Sequence, residues 1–191
     1  MSEADIIKKV RDILNEHGGD DDISIGTDRV LLEDYIKSAI PDAVVMLAQK
    51  GFAVNAKAYT KEDYGTLDEE GDFISLIVAK CGEWKRPIYK LTSTDSPEFA
   101  MALNEYTKPG PNSPIAWWEN ADGCAQLMFA PWNEEKPIFV TYNAKYDGEK
   151  INAETKEATA VCYMTAALVL GMFGDDQGKQ RLSDVCTNML Q

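Results

Sequence analysis

Between Ala158 and Gly174 the chain runs for 17 residues without a charge. Val161, Tyr163, Met164, Leu168, Val169, Leu170, Met172 and Phe173 are spread so that a helix here is apolar or small on every side. A helix at the edge of a domain needs only one apolar stripe. An all-round apolar helix needs neighbours all round. Thr159, Thr165 and four alanines keep it weakly hydrophobic, and 17 residues fall short of a comfortable bilayer span. The segment therefore reads as the central helix of a domain, or as a helix shared with a neighbouring subunit.

The flanking sequence offers helices to surround it. Residues 3–17 place Ile6, Ile7, Val10, Ile13 and Leu14 on one stripe. Ser2 is the expected N-cap, with Asp5 three residues on, and Gly18-Gly19 stops the helix. A second helical pattern covers about Asp28 to Lys50. Pro41 interrupts it, so two helices or one kinked helix both fit. A last helix, about Asp176 to Leu190, carries Leu182, Val185, Cys186 and Leu190 on one stripe.

The middle of the chain changes period. Phe73 to Ala79 is rich in β-branched residues and bounded by Gly71 and Gly82, the pattern of a strand. Ser96 and Pro97 open a short helix to Leu103. Pro109, Pro111 and Pro114 then enforce an extended loop. Ile115–Glu119 and Cys124–Ala130 flank a turn ending in Asp122-Gly123, a hairpin signal. Ile138 to Tyr142 is a further strand, and the chain turns at Tyr146-Asp147-Gly148-Glu149. The expected class is α+β, one domain over 1–191. Its helical segments, 3–50 and 154–190, pack around a small central antiparallel sheet within 72–143.

Charge narrows the partners. Nineteen Lys and Arg stand against 32 Asp and Glu, a formal −13. Non-specific nucleic-acid binding depends on cations that displace counterions from phosphate, and an anionic membrane surface makes the same demand. Neither is expected here. The acidic N-terminal stretch lacks the basic, then apolar, order of a secretory signal. Cys81, Cys124, Cys162 and Cys186 lie far apart with no CxxC pair, the pattern of buried thiols in a reducing compartment. The expectation is a soluble cytoplasmic protein without a metal or other cofactor.

Candidate chemistry is sparse. Asp20-Asp21-Asp22 begins like a calcium loop, but Ile25 stands where glycine is needed and Leu31 where glutamate is needed. Gly174 to Gln180 is reminiscent of a phosphate loop, but it is one residue short and a helix precedes it. His17, the single histidine, falls in the last turn of the first helix, where the dipole favours a cation. No catalytic residue is assigned. A carboxylate pair serving an acid–base hydrolase in a cleft of the sheet stays open, as does a small binding module.

Trp84, Trp117, Trp118 and Trp132 all lie in the β-rich middle. Consecutive Trp117 and Trp118 on one strand face opposite sides of the sheet. One fills the core, and the other needs cover from a helix, a loop or another subunit. Trp117, Trp118 and Trp84 are the candidate interface residues.

Several phrases together carry a family likeness. They are Ile6 to Glu16, Leu32-Glu33-Asp34-Tyr35-Ile36, Ile40-Pro41-Asp42-Ala43-Val44, Trp84-Lys85-Arg86-Pro87-Ile88 and Asp95-Ser96-Pro97-Glu98-Phe99. Asn104-Glu105-Tyr106-Thr107 and Cys162-Tyr163-Met164-Thr165-Ala166 complete them. The chain resembles neck or head-to-tail connector ring proteins of tailed phages and prophages of gut Bacteroidetes, including the crAss-like group. The resemblance implies a ring subunit between portal and tail, present in the host cytoplasm and the virion. It implies self-association and contact with portal or tail components, no cofactor, no chemistry and no site residue to carry over. An acidic surface in such a ring lets DNA pass without phosphate contacts.

Overall fold

The computed structural model describes residues 1–17, 29–61, 71–121, 124–132 and 136–191. The fold is α+β. The chain forms two compact units: Met1–Ala56 with Lys145–Gln191, and Lys57–Ala144.

The first unit is helical. It contains α1 (Glu3–His17), α2 (Arg29–Gln49), α4 (Thr155–Met172) and α5 (Asp176–Leu190). α1, α2 and α5 all pack on α4. Ala158, Ala160, Val161, Cys162, Met164, Thr165, Ala166, Ala167, Val169 and Leu170 are buried there, so the uncharged segment is the central helix of this unit. The Thr165 hydroxyl, fully buried, donates to the Val161 carbonyl at 2.8 Å, which removes the cost of burying it.

Local signals place these helices. Asp5 Oδ2 accepts from the Ser2 hydroxyl at 2.6 Å, and the Asp5 amide donates to Ser2 Oγ at 3.3 Å, a reciprocal cap. The Ser2 hydroxyl, together with the Ser2 amide donating to Asp5 Oδ2 at 3.4 Å, holds the Asp5 carboxyl below its ordinary value. Met1 and Ile151 exchange backbone hydrogen bonds, and the Glu3 amide donates to the Glu149 carbonyl, which ties the start of α1 to the segment entering α4. Arg11–Glu33 and Lys37–Glu3 ion pairs link α1 to α2. α2 is a single helix with Pro41 inside it. One missing N–H is tolerated because Ile40, Ala43 and Val44 are fully buried around it.

The second unit holds β1 (Ala56–Lys61), β2 (Phe73–Cys81), α3 (Pro97–Leu103), β3 (Ile115–Ala121), β4 (Cys124–Ala130) and β5 (Ile138–Ala144). Its strands make a three-stranded sheet, β1-β5-β2, and a two-stranded sheet, β3-β4. β2 and β5 are antiparallel, with Cys81 opposite Ile138 and Leu76 opposite Tyr142. β3 and β4 are antiparallel, with Trp117 opposite Met128 and Ala121 opposite Cys124; the expected turn at Asp122-Gly123 lies outside the described residues. Leu76, Ala79, Ile138, Val140, Leu127, Phe129 and Trp84 belong to its core. Asp72 joins its elements, accepting from Tyr142 Oη at 3.1 Å and pairing with Lys57 Nζ at 2.5 Å.

Candidate functional site

α3 and the extended segment before it lie against the strands of the second unit. Ser96 Oγ caps α3 by accepting from the Phe99 amide at 3.2 Å, and Pro97 occupies its first turn. The helix buries none of its residues. Phe99 is its anchor, set edge-on against Trp117 of β3 with ring centroids 5.5 Å apart. The remaining large side chains face out: Met101 is 53% exposed, Leu103 66% and, just beyond, Tyr106 96%. A seven-residue helix has little stability of its own. Its position depends on that anchor.

Beside it lies a cleft of about 610 Å³, lined along one wall by Pro87 to Ser93 and along the other by Ser96, Glu98, Pro114 and Ile115. Its floor is extended backbone tied to the strands. Ile88 and Ala79 exchange amide–carbonyl bonds at 2.8 and 2.9 Å, and the Thr92 amide donates to the Ala116 carbonyl at 2.6 Å. Tyr89 stands 67% exposed at this cleft. Lys90 and Glu98 are the charged lining residues, with Thr92, Ser93 and Ser96 as hydroxyls. Hydrolysis by a carboxylate pair takes two acids, and this lining supplies one.

The three interface tryptophans of the sequence reading lie elsewhere. Trp84 is buried, donates from Nε1 to the Pro131 carbonyl at 2.7 Å and packs on Phe129. Trp117 is buried under Phe99. Trp118 is half-buried, edge-on to Phe73 at 5.0 Å. The pair does point to opposite faces, but α3 covers one and β2 the other, so neither ring stands free. Exposed apolar side chains also lie on α3, which the sequence reading gave only as a short helix. Its signal was legible: apolar residues on a helix too short to have a second, polar face.

The uncharged helix exposes its end. Met172 is 48% and Phe173 44% exposed, and Phe173 meets Tyr35 of α2 edge-on at 5.1 Å. Gly174, at φ 82, turns the chain, and Asp175 caps α5 by accepting from the Gly178 amide at 2.8 Å. The stretch with the partial phosphate-loop pattern is thus a helix–helix connection.

Other candidates fall outside these surfaces. His17 ends α1, and its side chain lies outside the described residues, as does all of Asp20-Asp21-Asp22. Cys81, Cys162 and Cys186 are buried free thiols. Among the described residues no three His, Cys, Asp or Glu side chains are grouped to hold a metal ion, and no helix is long and apolar enough to cross a membrane. No protein-family model matches the chain, and no curated protein matches it.

Proposed function

We propose that this chain is a structural assembly subunit of a virus particle, of the head-to-tail connector kind that its sequence resembles. It acts by contact and not by chemistry, in the host cytoplasm during assembly and then in the virion. The observation that carries the reading is α3, a helix with no buried residue and with Met101 and Leu103 turned to solvent, followed by Tyr106. Large exposed apolar groups gathered in one place mark interaction surfaces. Tyrosine is among the residues that anchor them. The net charge of −13 supports a surface that DNA does not adhere to.

The test is incorporation. Particles purified from a producing strain should contain the chain in several copies each, by quantitative mass spectrometry. Deleting its coding sequence should leave heads and tails unjoined in electron micrographs. Particles that lack the chain, or that join normally without it, would overturn the reading.

A binding module is the second reading, and the cleft between Tyr89, Lys90 and Glu98 favours it. Its volume falls within the usual range for ligand sites of roughly 300–1,000 Å³. A compound-library thermal-shift screen that Tyr89→Ala abolishes would support this reading. Unchanged shifts in that variant would count against it.

A further inference from the structure

The segment Tyr89-Lys90-Leu91 is held at both ends and unpaired between them. At one end Ile88 makes an antiparallel bridge with Ala79 of β2, its amide donating at 2.9 Å and its carbonyl accepting at 2.8 Å. At the other end the Thr92 amide donates to the Ala116 carbonyl of β3 at 2.6 Å. Between these anchors the amides and carbonyls of Tyr89, Lys90 and Leu91 have no hydrogen-bond partner among the described residues. Each is an obligatory donor or acceptor, met by water until another partner replaces it. All three residues line the cleft of about 610 Å³. Pro87 and Pro114, in the same lining, carry no N–H with which to extend a ladder across it. The side chains are also unengaged. The Tyr89 ring is 67% exposed, and neither Lys90 nor Glu98 enters an ion pair among the described residues. These are the only two charges of the lining and they cancel, so the cleft does not select a ligand of one sign.

We propose that this cleft takes an extended peptide segment of a partner protein, which pairs its backbone with Tyr89-Lys90-Leu91 as an added strand. Unpaired N–H and C=O groups in an extended run match those of another strand whatever its side chains, because both repeat with the same period. Three residues span about 10 Å, so the ladder is short. An apolar residue of the peptide against the Tyr89 ring, with an acid near Lys90 and a base near Glu98, completes the contact. A saccharide would use the lining hydroxyls and the ring, but it does not call for a row of backbone groups. The proposal rests on the second reading above, that the cleft binds a ligand, and names the occupant.

The experiment presents the immobilised full chain with a phage-displayed library of random linear peptides. Selected peptides are then synthesised and titrated by calorimetry. Peptides with a Kd below about 100 µM are expected. N-methylation of the peptide backbone, one residue at a time, should weaken binding by roughly tenfold or more at alternate positions and little at those between, the period of a paired strand. Tyr89→Ala, with circular dichroism to confirm folding, should weaken binding by roughly tenfold or more. Should that variant misfold, Glu98→Lys on the exposed face of α3 replaces it, with the same expected loss. A library that yields no binder overturns the proposal. So do peptides that bind the folded variant like wild type, or an N-methyl series without alternation. Glycan-array binding that needs Tyr89, with no peptide bound, overturns it in favour of a saccharide site. Thermal shifts by small compounds that need Tyr89, where every peptide fails, overturn this proposal alone and leave the cleft a ligand site.

Discussion

Phe99 of α3 sits edge-on against Trp117 of β3, with ring centroids 5.5 Å apart. That contact sets α3, a helix with no buried residue, against β3. Replacing Phe99 by alanine removes a half-buried ring and an edge-to-face contact. The expected loss is about 1–2 kcal/mol of stability. Trp117 should become accessible, so acrylamide should quench more of the tryptophan fluorescence at temperatures where the fold persists. Unchanged quenching with full stability would show that α3 is held by something other than Phe99.

The α3 case shows how far the sequence could be read. Helix caps were legible because they are local: Ser2 with Asp5, and Ser96 with Pro97. The central helix was legible because 17 uncharged residues admit few other fates. What covers each tryptophan was not legible. Phe99 and Phe73 are far from Trp117 and Trp118 in sequence, and no periodicity encodes that meeting. β1 was missed for the same reason. Ala56-Lys57-Ala58-Tyr59-Thr60-Lys61 has small and charged residues, and its strand form comes from pairing with β5, some 80 residues away. Pro41 left two helices or one open as alternatives, and the single helix forms because tertiary burial outweighs one absent donor.

Gly178 fixes the approach of α5 to α4. A Cβ at this position would run into the Asp175 carboxylate that caps the helix and would lie 2.7 Å from Leu170 Cδ1. By helix propensity alone, Gly178→Ala would stabilise by up to about 1 kcal/mol. Overpacking costs about 1–3 kcal/mol, and here it also displaces the cap. Net destabilisation of about 1–2 kcal/mol is expected in urea denaturation. A variant more stable than wild type would show that the α4–α5 junction can relax.

Tyr146 donates to Glu3 Oε2 at 3.3 Å, and burial, with the Glu3 charge beside it, pushes its hydroxyl up to about 12. The neutral phenol is therefore the form favoured by folding. Its contribution is fully present below pH 10, the ordinary tyrosine value, and is lost as pH rises towards 12. Tyr146→Phe should flatten the stability profile between those limits and remove one late-titrating phenolate from the absorbance at 295 nm. If the variant loses a phenolate that ionises near pH 10 instead, the hydrogen bond to Glu3 does not govern it.

Cys162 and Cys186 both lie at the packing of α4. Cys162 Sγ donates to the Ala158 carbonyl at 3.3 Å and approaches Met1 Sδ at 3.7 Å. Cys186 Sγ reaches across from α5 to the Ala160 carbonyl at 3.3 Å. Burial pushes the Cys162 thiol up to about 11 and raises Cys186 in the same direction. Thiolate is the reactive form, and a thiol near 11 is ionised about a hundredfold less at pH 8 than one near 9. Limited access slows the reaction further. In the native protein at pH 8, iodoacetamide should leave both residues unmodified over hours, while in urea both should react within minutes. Peptide mapping by mass spectrometry reads each cysteine separately. The neutral thiol's contribution to stability persists below pH 9 and falls away as pH rises towards 11, so labelling of Cys162 should accelerate steeply across that window. Rapid native labelling of Cys162 at pH 8 would mean that α4 opens locally far more often than its all-round burial predicts.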